Sequence, residues 1–141
     1  MKLSSQLLPG VQVSKKRVLL VDDARSIRTV FSQIIQSIGH EVICAENAIE
    51  GLKHIVEVGK PDLIITDMNM PGMSGIEFAR RIRQVLKGTP ILMMSTESDK
   101  RLIQEARDAG VTGWMLKPIE HNMLVNKLNK FLEESSVASN S

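Results

Sequence analysis

In this chain of 141 residues, three aspartates, a serine and a lysine stand at the ends of apolar runs. Asp22 and Asp23 follow "RVLLV", Asp67 follows "DLIIT", Ser95 and Thr96 follow "PILMM", and Lys117, with Pro118 behind it, follows "TGWML". Crowded carboxylates repel one another, and the usual remedies are a raised pKa or a bound hard cation. A divalent cation suits such a group better. Magnesium prefers oxygen ligands, keeps several waters and commonly takes only one or two protein carboxylates together with phosphate oxygens, so the pocket could hold Mg2+ and still admit a phosphoryl group. Asp67, kept ionised by the metal and by Lys117, could then attack phosphorus as a carboxylate nucleophile and form an acyl phosphate. Metal and Lys117 would stabilise charge on the transferring oxygens. The hydroxyl of Ser95, drawn toward this new acceptor, could carry its strand and loop with it and turn the chemistry into a change of shape.

Each of these residues also has an ordinary reading. Asp67 could cap the helix that follows it, and Asp22 and Asp23 could start a helix, because aspartate favours N-caps and first turns. Lys117 could be a solvated turn lysine, Ser95 a plain strand end, and Trp114 a core residue. The eight methionines, among them Met68, Met70, Met73, Met93 and Met94, fit packing better than a soft-metal site. What favours chemistry is the convergence of all these strand ends on one edge.

That convergence is what the pattern of elements predicts. "RVLLV", "EVICA", "DLIIT", "PILMM" and "TGWML" are short apolar runs, and each leads into apolar residues at helical spacing. The helical sets are Ile27, Val30, Phe31, Ile34, Ile35 and Ile38; Ala48, Ile49, Leu52, Ile55 and Val56; Ile76, Ala79, Ile82, Val85 and Leu86; Leu102, Ile103 and Ala106; and Leu124, Leu128, Phe131 and Leu132. Unbroken apolar strands are covered on both faces, and strands separated by helices pair in parallel, so the expected fold is a doubly wound α/β sandwich. In such a sheet the ligand site lies beyond the carboxyl ends of the strands, where strand order reverses.

Composition bounds the rest. The chain has room for one core, and its 18 basic and 16 acidic residues are spread along it, which leaves no electrostatic footprint for nucleic acid. The lone Cys44 has no disulfide partner and reads as a core filler. The segment "MKLSSQLLPGVQVSKK" does not resemble a signal peptide, being broken by Pro9 and Gly10. No run approaches the roughly 18 apolar residues of a membrane span, so no membrane association and a cytoplasmic location are expected. The expected division is a flexible extension over 1–15, a folded domain over 16–134 and a disordered tail over 135–141.

"LLVDDARSIR", "IITDMNMPGMSGIE", "PILMMSTES" and "GWMLKPI" occur in the order and at about the separations of the receiver domain of two-component response regulators. The chain resembles that family over about Lys16 to Glu134, and among single-domain receivers it is most similar to the CheY-type chemotaxis regulators. The resemblance implies a flavodoxin/CheY-like five-stranded parallel sheet of order 2-1-3-4-5 and phosphorylation of Asp67 by a histidine kinase, CheA-like if the pathway is chemotaxis. It implies a Mg2+ site formed by Asp23, Asp67 and the backbone carbonyl of Asn69, with Asp22 reaching the ion mainly through water. Ser95 takes the place of the switch hydroxyl, Lys117 that of the family lysine, and Trp114 that of the switch aromatic. A receiver of this kind is a signalling phosphoacceptor that catalyses only its own phosphorylation and dephosphorylation.

The sequence also departs from the common pattern. Ser95 replaces a more frequent threonine and Trp114 a tyrosine, while Asn69 and Glu97 match residues that tune loss of the phosphoryl group. Only "SSVASNS" follows the fifth helix, so output is expected through protein contact, on a face formed by the fourth helix, fifth strand and fifth helix. Lys100, Ile103, Trp114 and Lys127 are placed on that face, and a flagellar motor switch component is the expected target for what is expected to be a monomer. Asp99 reverses the usual charge there. Two other readings stand beside this one: a phosphotransfer intermediate or phosphate sink with no output partner, and a phosphohydrolase using an aspartyl phosphate. The phosphohydrolase lacks its usual second carboxylate, since Asn69 stands at that place. Flavin binding is disfavoured because "VDDARS" puts two negative charges where a phosphate-cradling loop would lie.

Overall fold

The computed structural model describes residues 15–140, with side chains through Glu133. Five strands alternate with five helices: β1 (Arg17–Val21), α1 (Arg25–Ser37), β2 (Glu41–Ala45), α2 (Ala48–Val58), β3 (Leu63–Asp67), α3 (Gly75–Val85), β4 (Ile91–Ser95), α4 (Lys100–Asp108), β5 (Gly113–Leu116) and α5 (His121–Asn140). The sheet is parallel with order β2-β1-β3-β4-β5, as expected for a doubly wound chain. The extension expected over 1–15 lies outside the described residues except for Lys15. The tail expected from 135 falls on the last turns of α5 and on Ser141, beyond the described side chains.

Side chains alternate across each strand and so feed two cores. Val18, Leu20, Leu63, Ile65, Leu92, Met94 and Met115 face Phe31 and Ile35 of α1 and Leu124, Leu128 and Leu132 of α5. Leu19, Val21, Ile64, Ile91 and Met93 face α2, α3 and α4, with Phe78 fully buried among them. Burial of a ring of that size contributes about 1.5–3 kcal/mol. Phe78 needs Gly51, where an added Cβ would stand 2.8 Å from the ring. Cys44 is partly buried against the α1 side, with Sγ 3.1 Å from the Ser32 hydroxyl.

Two details differ from the sequence reading. Val30, Ile49, Val56 and Val85, counted there with the helical apolar sets, are 50%, 64%, 82% and 64% exposed. Val30, Ile49 and Val56 each lie about 100° round the helix from a buried neighbour, Phe31, Ala48 and Ile55, outside the stripe that meets the sheet, and Val85 lies at the last residue of α3, past buried Ile82. Also, β3 and β4 run one residue further than the apolar runs, so Asp67 and Ser95 are the last residues of their strands. Asp67 pairs in register with Met94, and Ser95 with Leu116.

Candidate functional site: an acidic cluster with a lysine

The reactive side chains are carried by the ends of the hydrogen-bond ladder. The Asp22 N–H donates to the Ala45 carbonyl at 3.1 Å, the Met68 N–H to Met94 at 2.9 Å, and the Lys117 N–H to Ser95 at 2.7 Å. These bonds extend the β1–β2, β3–β4 and β4–β5 pairings by one step, so Asp22, Asp67, Ser95 and Lys117 sit on rigid backbone. The order reverses between β1 and β3, which is where a crevice forms in an open parallel sheet.

Asp22, Asp23 and Asp67 each direct a carboxylate oxygen into one cluster in which the oxygens lie within 4.8 Å of one another. Asp22 is fully buried and Asp67 is 6% exposed, whereas Asp23 is exposed. The Lys117 ammonium lies 3.1 Å from Asp67 Oδ1 and 4.0 Å from Asp22 Oδ2, and the Lys117–Pro118 peptide is cis. Oδ1 of Asp22 accepts the Ala24 N–H at 2.8 Å. Its Oδ2 is buried with no hydrogen-bond partner among the described residues. Burial, first of all, pushes the Asp22 carboxyl above its ordinary pKa; the neighbouring charges of Asp67 and Asp23 add to this, while the Ala24 bond and Lys117 oppose it.

A buried, unsatisfied carboxylate oxygen is costly. A hard cation relieves that cost, and the donor set fits one: three carboxylates, no nitrogen or sulfur, with ligand oxygens within 4.8 Å of one another, close enough to share one oxygen-liganded ion. The residues present therefore fit a magnesium site.

None of the three aspartates caps a helix. The N-cap of α1 is Ala24, without a side-chain cap bond, and that of α3 is Ser74, which accepts from the Glu77 N–H. Asp67 is separated from α3 by a loop that folds back tightly, the Gly75 N–H donating to the Met68 carbonyl at 2.8 Å. Gly75 is required there: an added Cβ would run into the Asp67 carbonyl oxygen and stand 2.9 Å from the Met68 Cα. Asn69 is exposed in this loop.

Ser95 is fully buried, and its hydroxyl accepts the Glu97 N–H at 2.9 Å. The carbonyl of the same Glu97 accepts the Trp114 indole N–H at 3.0 Å. Ser95, Glu97 and Trp114 are thus joined in sequence. Trp114 is partly buried, packed against the core shared by α2, α3 and α4. Lys100 is exposed on α4, while Ile103 on α4 and Lys127 on α5 are half-buried.

The sequence reading missed Arg28, whose Nη1 donates to the Asp22 carbonyl at 2.8 Å. A basic residue in a first helical turn, against the helix dipole, was the available signal.

The comparisons agree with this geometry. Residues 18–129 match the family model described as the response regulator receiver domain. The chain is 35% identical over 121 residues to the chemotaxis protein CheY-3 of Vibrio cholerae, covering 83% of this chain and 92% of that protein. It is 28% identical over 117 residues to the sporulation initiation phosphotransferase F of Bacillus subtilis, covering 83% and 94%. The solved structure of the V. cholerae chemotaxis response regulator CheY4 superposes with a TM-score of 0.80 at 39% identity, covering 84% of this chain and 100% of that one. The chain belongs to the response regulator receiver domain family, whose members are phosphoaccepting signalling domains and not enzymes acting on an external substrate.

Proposed function

We propose that this chain is a phosphorylation-operated switch in which Asp67 takes a phosphoryl group from a histidine kinase and the domain over 16–134 signals by binding another protein. The observation that carries the reading is the Lys117 ammonium 3.1 Å from Asp67 Oδ1, beside an acidic cluster that contains an unsatisfied oxygen.

Receiver domains are partnered by histidine kinases. In the proposed reaction a carboxylate oxygen of Asp67 attacks the phosphorus of a phosphohistidine, the P–N bond breaks, and the imidazole, already protonated on its other nitrogen, leaves as the neutral ring with the bonding electron pair. Asp22, Asp23, Asp67 and the Asn69 carbonyl would hold Mg2+, which supplies neutralisation of charge on the transferring oxygens. Lys117 supplies a second positive contact on the same oxygens, on a strand end that cannot move away. In the unmodified protein Lys117 instead holds the Asp67 carboxylate.

Ser95 is the group whose donor can turn to the phosphoryl oxygens. If Oγ itself moves toward the phosphoryl group, its bond from the Glu97 N–H is stretched, and the carbonyl of that residue holds Trp114. The output surface would include Lys100, Ile103, Trp114 and Lys127, and Asn69 and Glu97 would set how quickly the phosphoryl group is lost. The similarity to chemotaxis proteins supports a chemotaxis role with a CheA-like kinase and a flagellar motor switch component as target. No helix among the described residues is long and apolar enough to cross a membrane, and a cytoplasmic monomer fits the reading.

Fluorescence of Trp114, the single tryptophan, tests it directly. Mg2+ and then acetyl phosphate should each change the emission, and Asp67→Asn should abolish the second step together with the phosphoryl adduct seen by mass spectrometry. An adduct that persists in Asp67→Asn would sink the assignment.

The likeness to the Bacillus phosphotransferase favours one second reading, a phosphotransfer intermediate. Passage of labelled phosphoryl from Asp67 to a histidine on a second protein would support it over an end-point switch.

A further inference from the structure

The first turn of α1 contains Arg25 and Arg28 and no acidic residue, the reverse of what the positive end of a helix dipole favours. Arg28 is nevertheless held in: its side chain is 18% exposed. Nη1 donates to the Asp22 carbonyl at 2.8 Å, and Nη2 lies 3.8 Å from the Glu46 carboxylate in the β2–α2 loop. The Asp22 main chain is therefore gripped on both sides, by the Ala45 carbonyl at its N–H and by Arg28 at its C=O.

The side chain of Asp22 has its own anchor in the Ala24 N–H. Asp23 has none: it is exposed and makes no hydrogen bond or ion pair among the described residues. Its carboxylate reaches the cluster unheld at its tip among the described residues, so its reach depends on where the backbone sets its Cα, and the Asp22 carbonyl lies in the peptide plane that leads into Asp23. A peptide plane is rigid, so holding its oxygen orients the next Cα.

We propose that Arg28 is a positioning residue that aims Asp23 into the acidic cluster by clamping the Asp22–Asp23 peptide. This rests on the reading of Asp22, Asp23 and Asp67 as a magnesium site. Loss of groups that orient metal ligands typically lowers affinity by about 10- to 100-fold, and because Arg28 acts through backbone the lower end is expected.

The test is calorimetric titration of Mg2+ into the full chain, with thermal melts of the metal-free proteins alongside. Arg28→Met keeps the apolar stem and loses every donor; its Mg2+ dissociation constant should rise about 10-fold with little change in metal-free melting. Arg28→Lys, which keeps the charge and one donor within reach, should restore most of the affinity. Arg28→Gln is too short to reach the Asp22 carbonyl and should bind as weakly as Arg28→Met, so it serves as the knockout if Arg28→Met does not fold. Wild-type affinity in the folded knockout overturns the proposal and leaves the metal site standing, as does Arg28→Lys binding no better than the knockout. A wild-type chain that takes up no Mg2+ overturns the metal site and the role of Arg28 together.

Discussion

Lys117 lies 3.1 Å from Oδ1 of Asp67, and its backbone N–H extends the β4–β5 ladder at 2.7 Å to Ser95. One residue thus neutralises the carboxylate and ties the far edge of the site to the sheet. Replacing it by methionine separates two effects. Removing a positive charge beside three carboxylates leaves Mg2+ affinity unchanged or raises it, whereas phosphorylation of Asp67 loses a contact to the transferring oxygens and should slow by roughly 100-fold. Mg2+ titration and the rate of adduct formation with acetyl phosphate measure the two separately.

The cluster is held together at a cost in stability. Asp22 is fully buried with one oxygen unsatisfied, and its raised pKa means that the unfolded chain ionises it more readily than the folded one. For this group, stability is greatest below the ordinary carboxylate range and is lost as pH rises through that range to the folded pKa. Asp22→Asn should therefore stabilise the metal-free protein at neutral pH, by about 1 kcal/mol. Magnesium should raise the melting temperature of the wild type and much less that of the variant. Melts with and without Mg2+ decide it, and a destabilised Asp22→Asn would contradict the account.

Gly75 tests how tightly the loop after β3 is built. The atoms facing an added Cβ are backbone, the Asp67 carbonyl and Met68 Cα, and neither can swing aside as a flexible side chain would. Gly75→Ala should cost about 1–3 kcal/mol and should also impair phosphorylation by shifting Asp67. Denaturant unfolding and the adduct assay report on the two consequences.

A pH effect is expected far from the site. Nδ1 of His40 accepts the Lys16 N–H at 3.1 Å, which requires that nitrogen to be unprotonated. Burial, followed by the charge of Lys16, lowers the His40 pKa, against the opposing pull of Asp62 and Glu133. The folded state thus binds this proton less readily than the unfolded one. The contribution is complete above about 6.5 and declines as pH falls toward the lower folded value. His40→Asn, whose side-chain oxygen can accept the same N–H, should fold and lose that part of the slope in stability between pH 7 and 5.

Much of this site could be read along the chain because its groups occupy strand ends, and strands announce themselves as short apolar runs. Asp22, Asp67, Ser95 and Lys117 need only the order of elements to be brought to one edge. Val56 shows where reading along the chain fails: it is apolar, beside buried Ile55, and 82% exposed. An apolar run does not reveal which 100° of a helix meets the sheet. Arg28 shows a second limit, since its partners are a backbone carbonyl and a carboxylate on another loop. Its place in a first helical turn marks Arg28 as unusual, but the main-chain carbonyl that the end of its long side chain reaches cannot be read from spacing or composition. The need for Gly75 is hidden likewise, because the obstacle is the fold of the loop itself.

The parallel register has one more outcome. All five strands deliver their carboxyl ends to the acidic rim, and the opposite rim, where β1 begins, is fastened by the Arg17 N–H on Asp62 at 2.8 Å and by Lys16 on His40. A dye attached at Lys15, which is exposed there, would be borne on the side of the sheet away from the chemistry, which makes that residue the natural handle for watching the molecule work.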